Sequence, residues 1–261
     1  MTEQEWLAST DPAAMLESVR GKVSDRKLRL FAVAVTRMAL AMRRKSLVML
    51  EDAETAERFA DGLASESDMV IARISSNLWC CNEYADIAAV GSAVMVRDRA
   101  TETADLLRDI VGNPFRPVTL PWQCICGVPC GPPTPGYFCV RCGAAKDKTQ
   151  CPWFTPTVCS LALAVYEERD PASGHLDPLR LAILADALEE AGCPQTEECC
   201  DCDGSGVCMT RPRDPVRLGR GWPCKLCKTT GRLPHPLLTH LRSPGPHVRG
   251  CWAVDLVRGV E

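Results

Sequence analysis

Apolar residues recur at helical spacing through most of the first 112 residues. The clearest stripe occupies one face of a single long helix and comprises Leu28, Phe31, Val35, Met38 and Met42. Ser24 and Asp25 can cap the start of this helix, which we predict to end near Arg44. The same pattern predicts helices that start at Asp11-Pro12 and cover about 53–63, 68–76, 83–96 and 101–111.

Two segments rich in cysteine interrupt the helical pattern. Residues 113–153 hold eight prolines and six cysteines, and neither a helix nor a long strand tolerates that proline density. Residues 198–233 are rich in cysteine and glycine. Helical spacing returns from Pro156 to about Glu168, from Pro178 to Gly192 and near 236–242, before a last apolar segment. These later helices are too short to be stable alone, so we expect them to pack on the N-terminal ones.

The pattern therefore predicts a mainly α fold, in which a single helical domain carries two inserted segments of small β-hairpin and knuckle structure. The helical framework is expected at 1–122, 154–197 and 234–261. A first insertion that resembles a zinc ribbon is expected at 123–153, and a second knuckle insertion at 198–233.

The cysteine count favours metal binding over disulfides. The chain has 17 cysteines among 261 residues, and an odd number cannot pair completely within one chain. The N-terminus lacks the basic start and apolar run of a signal peptide, and no apolar stretch approaches the length of a membrane helix. We therefore expect a cytoplasmic protein in a reducing compartment, where disulfides are rare. The formal charge of −3 calls for no strongly acidic or basic partner.

The second segment carries two Cys-x-x-Cys turns, which present the sulfurs of Cys199 with Cys202 and of Cys224 with Cys227. Such a turn brings two thiolates to one ion, and zinc prefers four tetrahedral ligands. A hairpin across the intervening 21 residues would bring the two turns together. The four cysteines are therefore predicted to bind one zinc ion.

The first of these turns matches the repeat Cys-x-x-Cys-x-Gly-x-Gly in full, whereas the second has Thr229 in place of the first glycine. Residues 199–231 thus resemble half of the cysteine-rich zinc domain of DnaJ-type cochaperones. That domain has four repeats and two zinc ions, so two repeats imply one ion. No His-Pro-Asp motif of a J-domain is present, and a cochaperone role is not implied. The alternative is a set of redox-active or metal-free thiols, with Cys200 and Cys208 as spares.

The first segment resembles the two knuckles of a zinc ribbon over residues 124–143. One knuckle is regular and the other irregular, and the predicted ligands are Cys126, Cys130, Cys139 and Cys142. Cys124 or Cys151 could replace one of them. The cofactor expectation for the whole chain is two zinc ions.

The loop between the second pair of turns is basic and could contact nucleic acid phosphates. The candidate contacts are Arg211, Arg213, Arg217, Arg220, Lys225 and Lys228. The basic helix from about Arg37 to Lys45 could extend this surface. The alternative is a solvated loop, because few aromatic side chains are available there for base stacking.

The helical framework resembles a family of hypothetical bacterial proteins with no established activity. The matching stretches are Glu5–Pro12, Ser24–Val33, Ala56–Leu63, Gly112–Pro117, Tyr166–Arg169, Ile183–Cys193 and Gly245–Trp252. In relatives of this kind the chain often runs directly from the region of Trp122 to Pro156, and from that of Cys193 to Leu237. The resemblance therefore implies that both cysteine segments are insertions.

Known catalytic motifs are missing from the sequence. It contains no P-loop, dinucleotide fingerprint, Gly-x-Ser-x-Gly or His-Glu-x-x-His. A nucleophilic pair of Cys251 and His247 is the one catalytic alternative, against a reading in which His247 and Arg249 fix a tight turn. The sequence thus favours a non-catalytic, zinc-binding interaction or adaptor protein with a protein partner and no membrane partner. Nucleic-acid binding and a thiol redox or chaperone-like activity are the alternatives.

Overall fold

The fold is mainly α, as the sequence predicts. A computed structural model describes residues 1–43, 47–76, 78–81, 85–118, 120–124, 126, 128–129, 138–139, 141–142, 144, 150–208 and 222–260. Its α-helices are α1 Glu3–Ala8, α2 Pro12–Val19, α3 Asp25–Arg43, α4 Leu47–Ala60, α5 Glu66–Ser76, α6 Ala85–Met95, α7 Ala100–Val111, α8 Pro156–Glu167, α9 Pro178–Glu190, α10 Pro236–Leu241 and α11 Trp252–Arg258. Short 3₁₀ turns lie at Trp79–Cys81 and Arg97–Arg99.

Contacts divide the chain into two compact units. The helical unit comprises Met1–Thr119, Pro156–Leu184 and Pro244–Glu261. The cysteine unit comprises Leu120–Thr155 and Ala185–Ser243, and it contains both cysteine-rich segments. Within the described ranges, no helix is both long enough and apolar enough to cross a membrane.

Helix α3 forms the centre of the helical unit because it is apolar on two faces. Phe31 and Val35 belong to a buried cluster that also receives α1, α2, α6 and α7. Val33 and Leu40 belong to a second cluster with α4, α5 and the turn at Cys80 and Cys81. The predicted stripe thus describes one buried face, with Leu28 and Met38 at its margin, while the side chain of Met42 lies outside the described part.

Two arginines of α3, Arg29 and Arg37, are buried. Arg37 is 2% exposed, and its Nε donates to the carboxylate of Glu57 at 2.9 Å. Arg169 donates to the other oxygen of Glu57 at 2.5 Å. Arg29 is 4% exposed, with its guanidinium 4.9 Å from the centre of the Phe59 ring. Burial of Arg37 removes it from any nucleic-acid surface, because its charge is neutralised inside the unit.

Helix ends follow the predicted signals at most places. Asp11 accepts hydrogen bonds from the backbone N–H groups of Ala13 and Ala14 and caps α2. Helix α4 begins at Leu47, six residues before the predicted start, and α3 ends at Arg43. Helices α1 and α11 were not predicted from the sequence. Thr2 and Glu5 form a capping box at α1, which was the available signal.

Strands occur in the cysteine unit as two short antiparallel pairs. Strand β1 (Thr196–Glu198) pairs with β4 (Arg232–Pro234), in the register Glu197 opposite Leu233. Strand β2 (Val207–Cys208) pairs with β3 (Trp222–Pro223). These pairs stand directly before and after the two Cys-x-x-Cys turns and bring them together.

Candidate metal centres

The second cysteine segment folds into a closed cluster of four sulfurs. The Sγ atoms of Cys199, Cys202, Cys224 and Cys227 all lie within 4.8 Å of one another, and all four residues are buried. The sulfurs of Cys199 and Cys224 are 3.7 Å apart, as are those of Cys202 and Cys227. A disulfide requires sulfurs about 2.05 Å apart, so these are four separate thiols arranged around a common centre.

The two turns repeat each other contact by contact. The backbone N–H of Gly206 donates to the sulfur of Cys202 at 3.3 Å, and that of Gly231 donates to Cys227 at the same distance. The N–H of Cys199 donates to the carbonyl of Gly231 at 2.9 Å, and that of Cys224 donates to Gly206 at 2.9 Å. The segment is therefore a pair of half-sites related by an approximate twofold axis.

A hydroxyl in each repeat reinforces this symmetry. Ser205 Oγ donates to the carbonyl of Cys202 at 2.6 Å, and Thr230 Oγ1 donates to that of Cys227 at 2.7 Å. Each hydroxyl also accepts from the backbone N–H two residues later, at 3.2 Å. Ser205 and Thr230 are not among the residues predicted for the site, although a hydroxyl at the same place in both repeats was an available signal.

Glycine is needed where the two turns interlock. A Cβ on Gly206 would meet the carbonyl oxygen of Thr229, and one on Gly231 would meet that of Gly204, both far inside van der Waals contact. Thr229 itself has φ +72°, where the matching residue of the first repeat is Gly204 with φ +75°. A β-branched residue in this region is strained, so the departure from the repeat has a conformational cost.

The electrostatics of this cluster are uneven before a metal binds. The backbone N–H of Cys227 points at the sulfur of Cys224 and, with smaller contributions from its neighbours, lowers the pKa of Cys224 to about 6. Desolvation, followed by the nearby thiol of Cys199, raises the pKa of Cys202 to about 12. One thiolate is therefore present at neutral pH to attract a cation, and binding must displace protons from other members.

The first cysteine segment also gathers four sulfurs among the residues that the structure describes. Cys126, Cys139 and Cys142 lie together with Cys124, all within 4.8 Å. The sulfurs of Cys124 and Cys142 are 3.4 Å apart, and those of Cys126 and Cys139 are 3.9 Å apart. Cys130, the remaining predicted ligand, lies outside the described residues. Among the described residues, Cys151 is buried and does not belong to this group of sulfurs.

Exposure separates the first cluster from the second. Cys124 and Cys139 are buried, whereas Cys126 and Cys142 are exposed. The backbone N–H groups of Cys142 and Arg141 lower the pKa of Cys139 to about 6. The N–H of Cys126 acts in the same direction on Cys124, but desolvation and the neighbouring thiols outweigh it and raise that pKa to about 12.

The candidate nucleic-acid contacts divide between described and undescribed residues. Lys225 and Lys228 are exposed on the second Cys-x-x-Cys turn. The matching turn of the first repeat carries exposed Asp201 and Asp203, so the described charges near the cluster are mixed. The other four predicted contacts, Arg211, Arg213, Arg217 and Arg220, lie outside the described residues.

Most cysteines outside the clusters fill the interior. Cys80 and Cys81 belong to the buried cluster around α3 and α4, with their sulfurs 3.8 Å apart. Cys193 is buried in the cysteine unit, its sulfur 3.8 Å from Nδ1 of His235. Cys159, in contrast, is exposed on α8.

His247 and Cys251 lie in a buried group with Asp109 in the helical unit. Nδ1 of His247 lies 2.7 Å from the carboxylate of Asp109, whose other oxygen accepts from the backbone N–H of Val248 at 2.9 Å. The sulfur of Cys251 is 4.0 Å from the same ring nitrogen and is fully buried. Burial, followed by the charge of Asp109, raises the pKa of Cys251 well above its usual range, which opposes nucleophilic use.

Arg249 supports the same turn from its other side. Its Nε donates to the carboxylate of Asp61 at 2.8 Å. Asp61 also accepts from Arg26 at 2.8 Å, and Arg26 pairs with the buried carboxylate of Asp255 at 2.7 Å. The alternative in which His247 and Arg249 fix a tight turn agrees with these contacts. The partners Asp109 and Asp61 carried no signal that sequence reasoning could use.

The fold and its sites define a mainly α protein with two tetracysteine clusters that could each hold a metal ion. Four cysteine sulfurs form each group, which suits a soft or borderline cation. The chain has no match among protein-family models, curated proteins or solved structures.

Proposed function

We propose that this chain is a zinc-binding, non-catalytic interaction protein, in which a helical framework carries two structural zinc centres. The observation that carries the proposal is the buried cluster of Cys199, Cys202, Cys224 and Cys227. Its sulfur pairs at 3.7 Å fit a tetrahedron with zinc–sulfur bonds of about 2.3 Å, whose edges are about 3.8 Å. Cys124, Cys126, Cys139 and Cys142 fit the same tetrahedron less regularly.

The ligand sets support a structural role for both ions. A catalytic zinc keeps one position open for water or substrate, whereas four protein thiolates fill the tetrahedron. Cysteine segments of this length and glycine content cannot bury enough apolar surface to fold alone, and a bound ion supplies that stability. The metal then holds the loops in shape instead of reacting.

The interaction role is supported by surface composition. Helix α5 exposes Val70, Ile71 and Ile74, which are 51%, 63% and 78% exposed. Three neighbouring large apolar side chains on one helix are more typical of a surface that meets a protein than of one that meets only water.

Elemental mass spectrometry on the purified protein, with thiol titration alongside, tests the proposal. We expect two zinc ions per chain and about eight protected thiols, four per tetrahedral site. Cys202→Ser should remove one ion, whereas Cys200→Ser, an exposed neighbour outside the cluster, should leave both. A protein purified without chelator that contains no zinc would contradict the proposal.

Nucleic-acid binding is a second candidate, supported by exposed Lys225 and Lys228 beside the second cluster. Fluorescence anisotropy with labelled duplex DNA and single-stranded RNA should then show binding that weakens steeply with salt. Lys225→Glu with Lys228→Glu should weaken it more than a control charge reversal at exposed Lys22 in the helical unit. An unchanged anisotropy at low salt would exclude nucleic-acid binding.

A further inference from the structure

The two halves of the second cluster differ at one packed position. Cys208 follows Cys199 by nine residues, and Leu233 follows Cys224 by the same interval. Both are partly buried and pack against the four sulfurs. The approximate twofold axis therefore relates a leucine on one side of the centre to a thiol on the other.

Cys208 packs against the cluster, and its position is fixed by its strand. Strand β2 carries it, and pairing with Trp222 fixes the position of its backbone. Its Sγ donates to the carbonyl oxygen of Asp201 at 3.4 Å. The same side chain packs against the cluster that contains Cys224.

A thiol in this place can bind a metal ion, which the side chain of Leu233 cannot do. A metal–thiolate centre loses its ion after one ligand dissociates, unless another donor occupies the vacant position first. Cys208 packs against the cluster, and its strand partner Trp222 lies two residues before Cys224, so its thiol could fill that position. The symmetry-related ligand, Cys199, has Leu233 at the corresponding place, and a leucine side chain has no donor atom for a metal.

We infer that Cys208 is a reserve ligand of the second metal centre, able to replace Cys224 and not Cys199. The inference rests on the proposed function, because it presupposes that this cluster binds zinc. In the exchange, the bond between the ion and the Cys224 sulfur breaks and a bond to the Cys208 sulfur forms. The proton that Cys208 gives up ends on the released Cys224 thiolate, so no oxidant is involved.

The test compares two ligand substitutions, Cys224→Ser and Cys199→Ser, which the symmetry makes equivalent. Both are made in a Cys200→Ser background, so that this exposed thiol cannot serve as a ligand. Zinc per chain is measured by elemental mass spectrometry after removal of loose metal. We expect Cys224→Ser to keep its second-cluster zinc, Cys199→Ser to lose it, and Cys224→Ser combined with Cys208→Val to lose it as well.

Loss of zinc from Cys224→Ser and Cys199→Ser alike would overturn the inference while leaving the proposed function intact. Absence of zinc from the Cys200→Ser parent would instead contradict the proposed function itself. If Cys224→Ser keeps its zinc even when Cys208→Val is added, the inference would also be overturned, since another donor would then be responsible.

A second measurement keeps all four ligands in place. Zinc release from the otherwise native protein to excess chromogenic chelator is followed by absorbance. Cys208→Val should accelerate zinc release from the second cluster severalfold, because a dissociated Cys224 can no longer be replaced. Leu233→Val trims packing at the symmetry-related position and should leave the rate close to that of the parent. Equal rates for Cys208→Val and the parent would overturn the inference.

Discussion

The two cysteine clusters use the same four-sulfur donor set in different surroundings. In the second cluster all four cysteines are buried, and two glycine N–H groups donate to sulfurs at 3.3 Å. In the first cluster, Cys126 and Cys142 are exposed while Cys124 and Cys139 are buried. The donors are therefore alike, and the protection around them differs.

The contrast shows what the glycine-rich repeat adds to a pair of Cys-x-x-Cys turns. Interlocking turns shield the sulfurs with backbone, which only a residue without Cβ permits at Gly206 and Gly231. Four thiolates with one zinc ion carry a formal charge of about −2. The backbone N–H groups that donate to the sulfurs offset part of this charge. The first cluster should hold its ion with less shielding from solvent.

The largest effect is expected from Gly206→Ala. An added Cβ would strike the carbonyl oxygen of Thr229, and the residue's φ of +73° would also be strained. Because both partners are backbone, neither can move without opening the interlock. We expect loss of the second ion and retention of the first, measured as a fall of one zinc per chain.

Gly204→Ala is the matched control for this substitution. Its φ of +75° is equally unfavourable, but the nearest atoms to an added Cβ belong to the Glu198 side chain at 3.6 Å. The cost should be about 1–2 kcal/mol of conformational strain, with zinc retained. If Gly204→Ala loses zinc as readily as Gly206→Ala, the interlock is not what protects the second cluster.

The next effect concerns the reactivity of thiols in the zinc-loaded protein. Exposure favours attack, so iodoacetamide should modify Cys126 and Cys142 before any cysteine of the second cluster. We expect a difference of about tenfold or more, because susceptibility follows thiolate character together with access. Peptide mass spectrometry over a time course gives the order.

Exposed Cys159 and Cys200 provide internal references for this reaction, because they lie outside both clusters. They should react first, since no ion shares their sulfur electrons. Equal protection of all eight clustered cysteines would show that burial in the second cluster gives no kinetic advantage.

Sequence periodicity predicted the mainly α class because a helix repeats its environment every few residues. Helix α3 illustrates both the success and its limit. The stripe through Phe31 and Val35 identified one buried face, but the second face rests on Val33 and Leu40 packing with α4 and α5. Burial of Arg37 follows from Glu57, 20 residues away, and no local pattern indicates that pairing.

The candidate sites were predictable to the extent that ligand spacing is local. The regular repeats around Cys199 and Cys224 indicated the four sulfurs that the structure brings together. The first segment has irregular spacing, and which sulfurs meet depends on contacts such as Gln123 with Gln150. Cys124, which the sequence left as an alternative ligand, lies among these sulfurs, while Cys130 lies outside the described residues.

A smaller effect concerns proton binding by the cysteines, and it tests the unequal pKa values that both clusters show. In the metal-free protein, the pKa values of Cys139 and Cys224 lie near 6, below the ordinary 9.0. Their thiolates favour the folded state above pH 9, and that contribution is lost as pH falls from 9 to 6. Cys124 and Cys202 have pKa values near 12, so their protonated thiols favour the folded state below pH 9. That contribution is lost as pH rises from 9 to 12.

Thiolate absorbance at about 240 nm in the zinc-free protein measures these ionisations, because only the deprotonated sulfur absorbs strongly there. Two thiolates should appear as pH rises through the range around 6. Cys139→Ser and Cys224→Ser should each remove one of them. A first thiolate that appears only near pH 9 would contradict the unequal polarisation of the sulfurs in both clusters.

The smallest effect is expected where the second repeat departs from the first. Thr229 has φ +72° and stands in the place of Gly204. Thr229→Gly should stabilise the zinc-loaded second cluster by about 1 kcal/mol, since a side chain in the left-handed region costs about 1–2 kcal/mol and glycine loses some in unfolded-chain entropy. Thr230→Gly should instead destabilise it, because the Thr230 hydroxyl donates to the Cys227 carbonyl at 2.7 Å. Competition for zinc against a chelator of known affinity measures both variants, and a Thr229→Gly protein that binds zinc more weakly would show that the strain is offset by contacts of the threonine side chain.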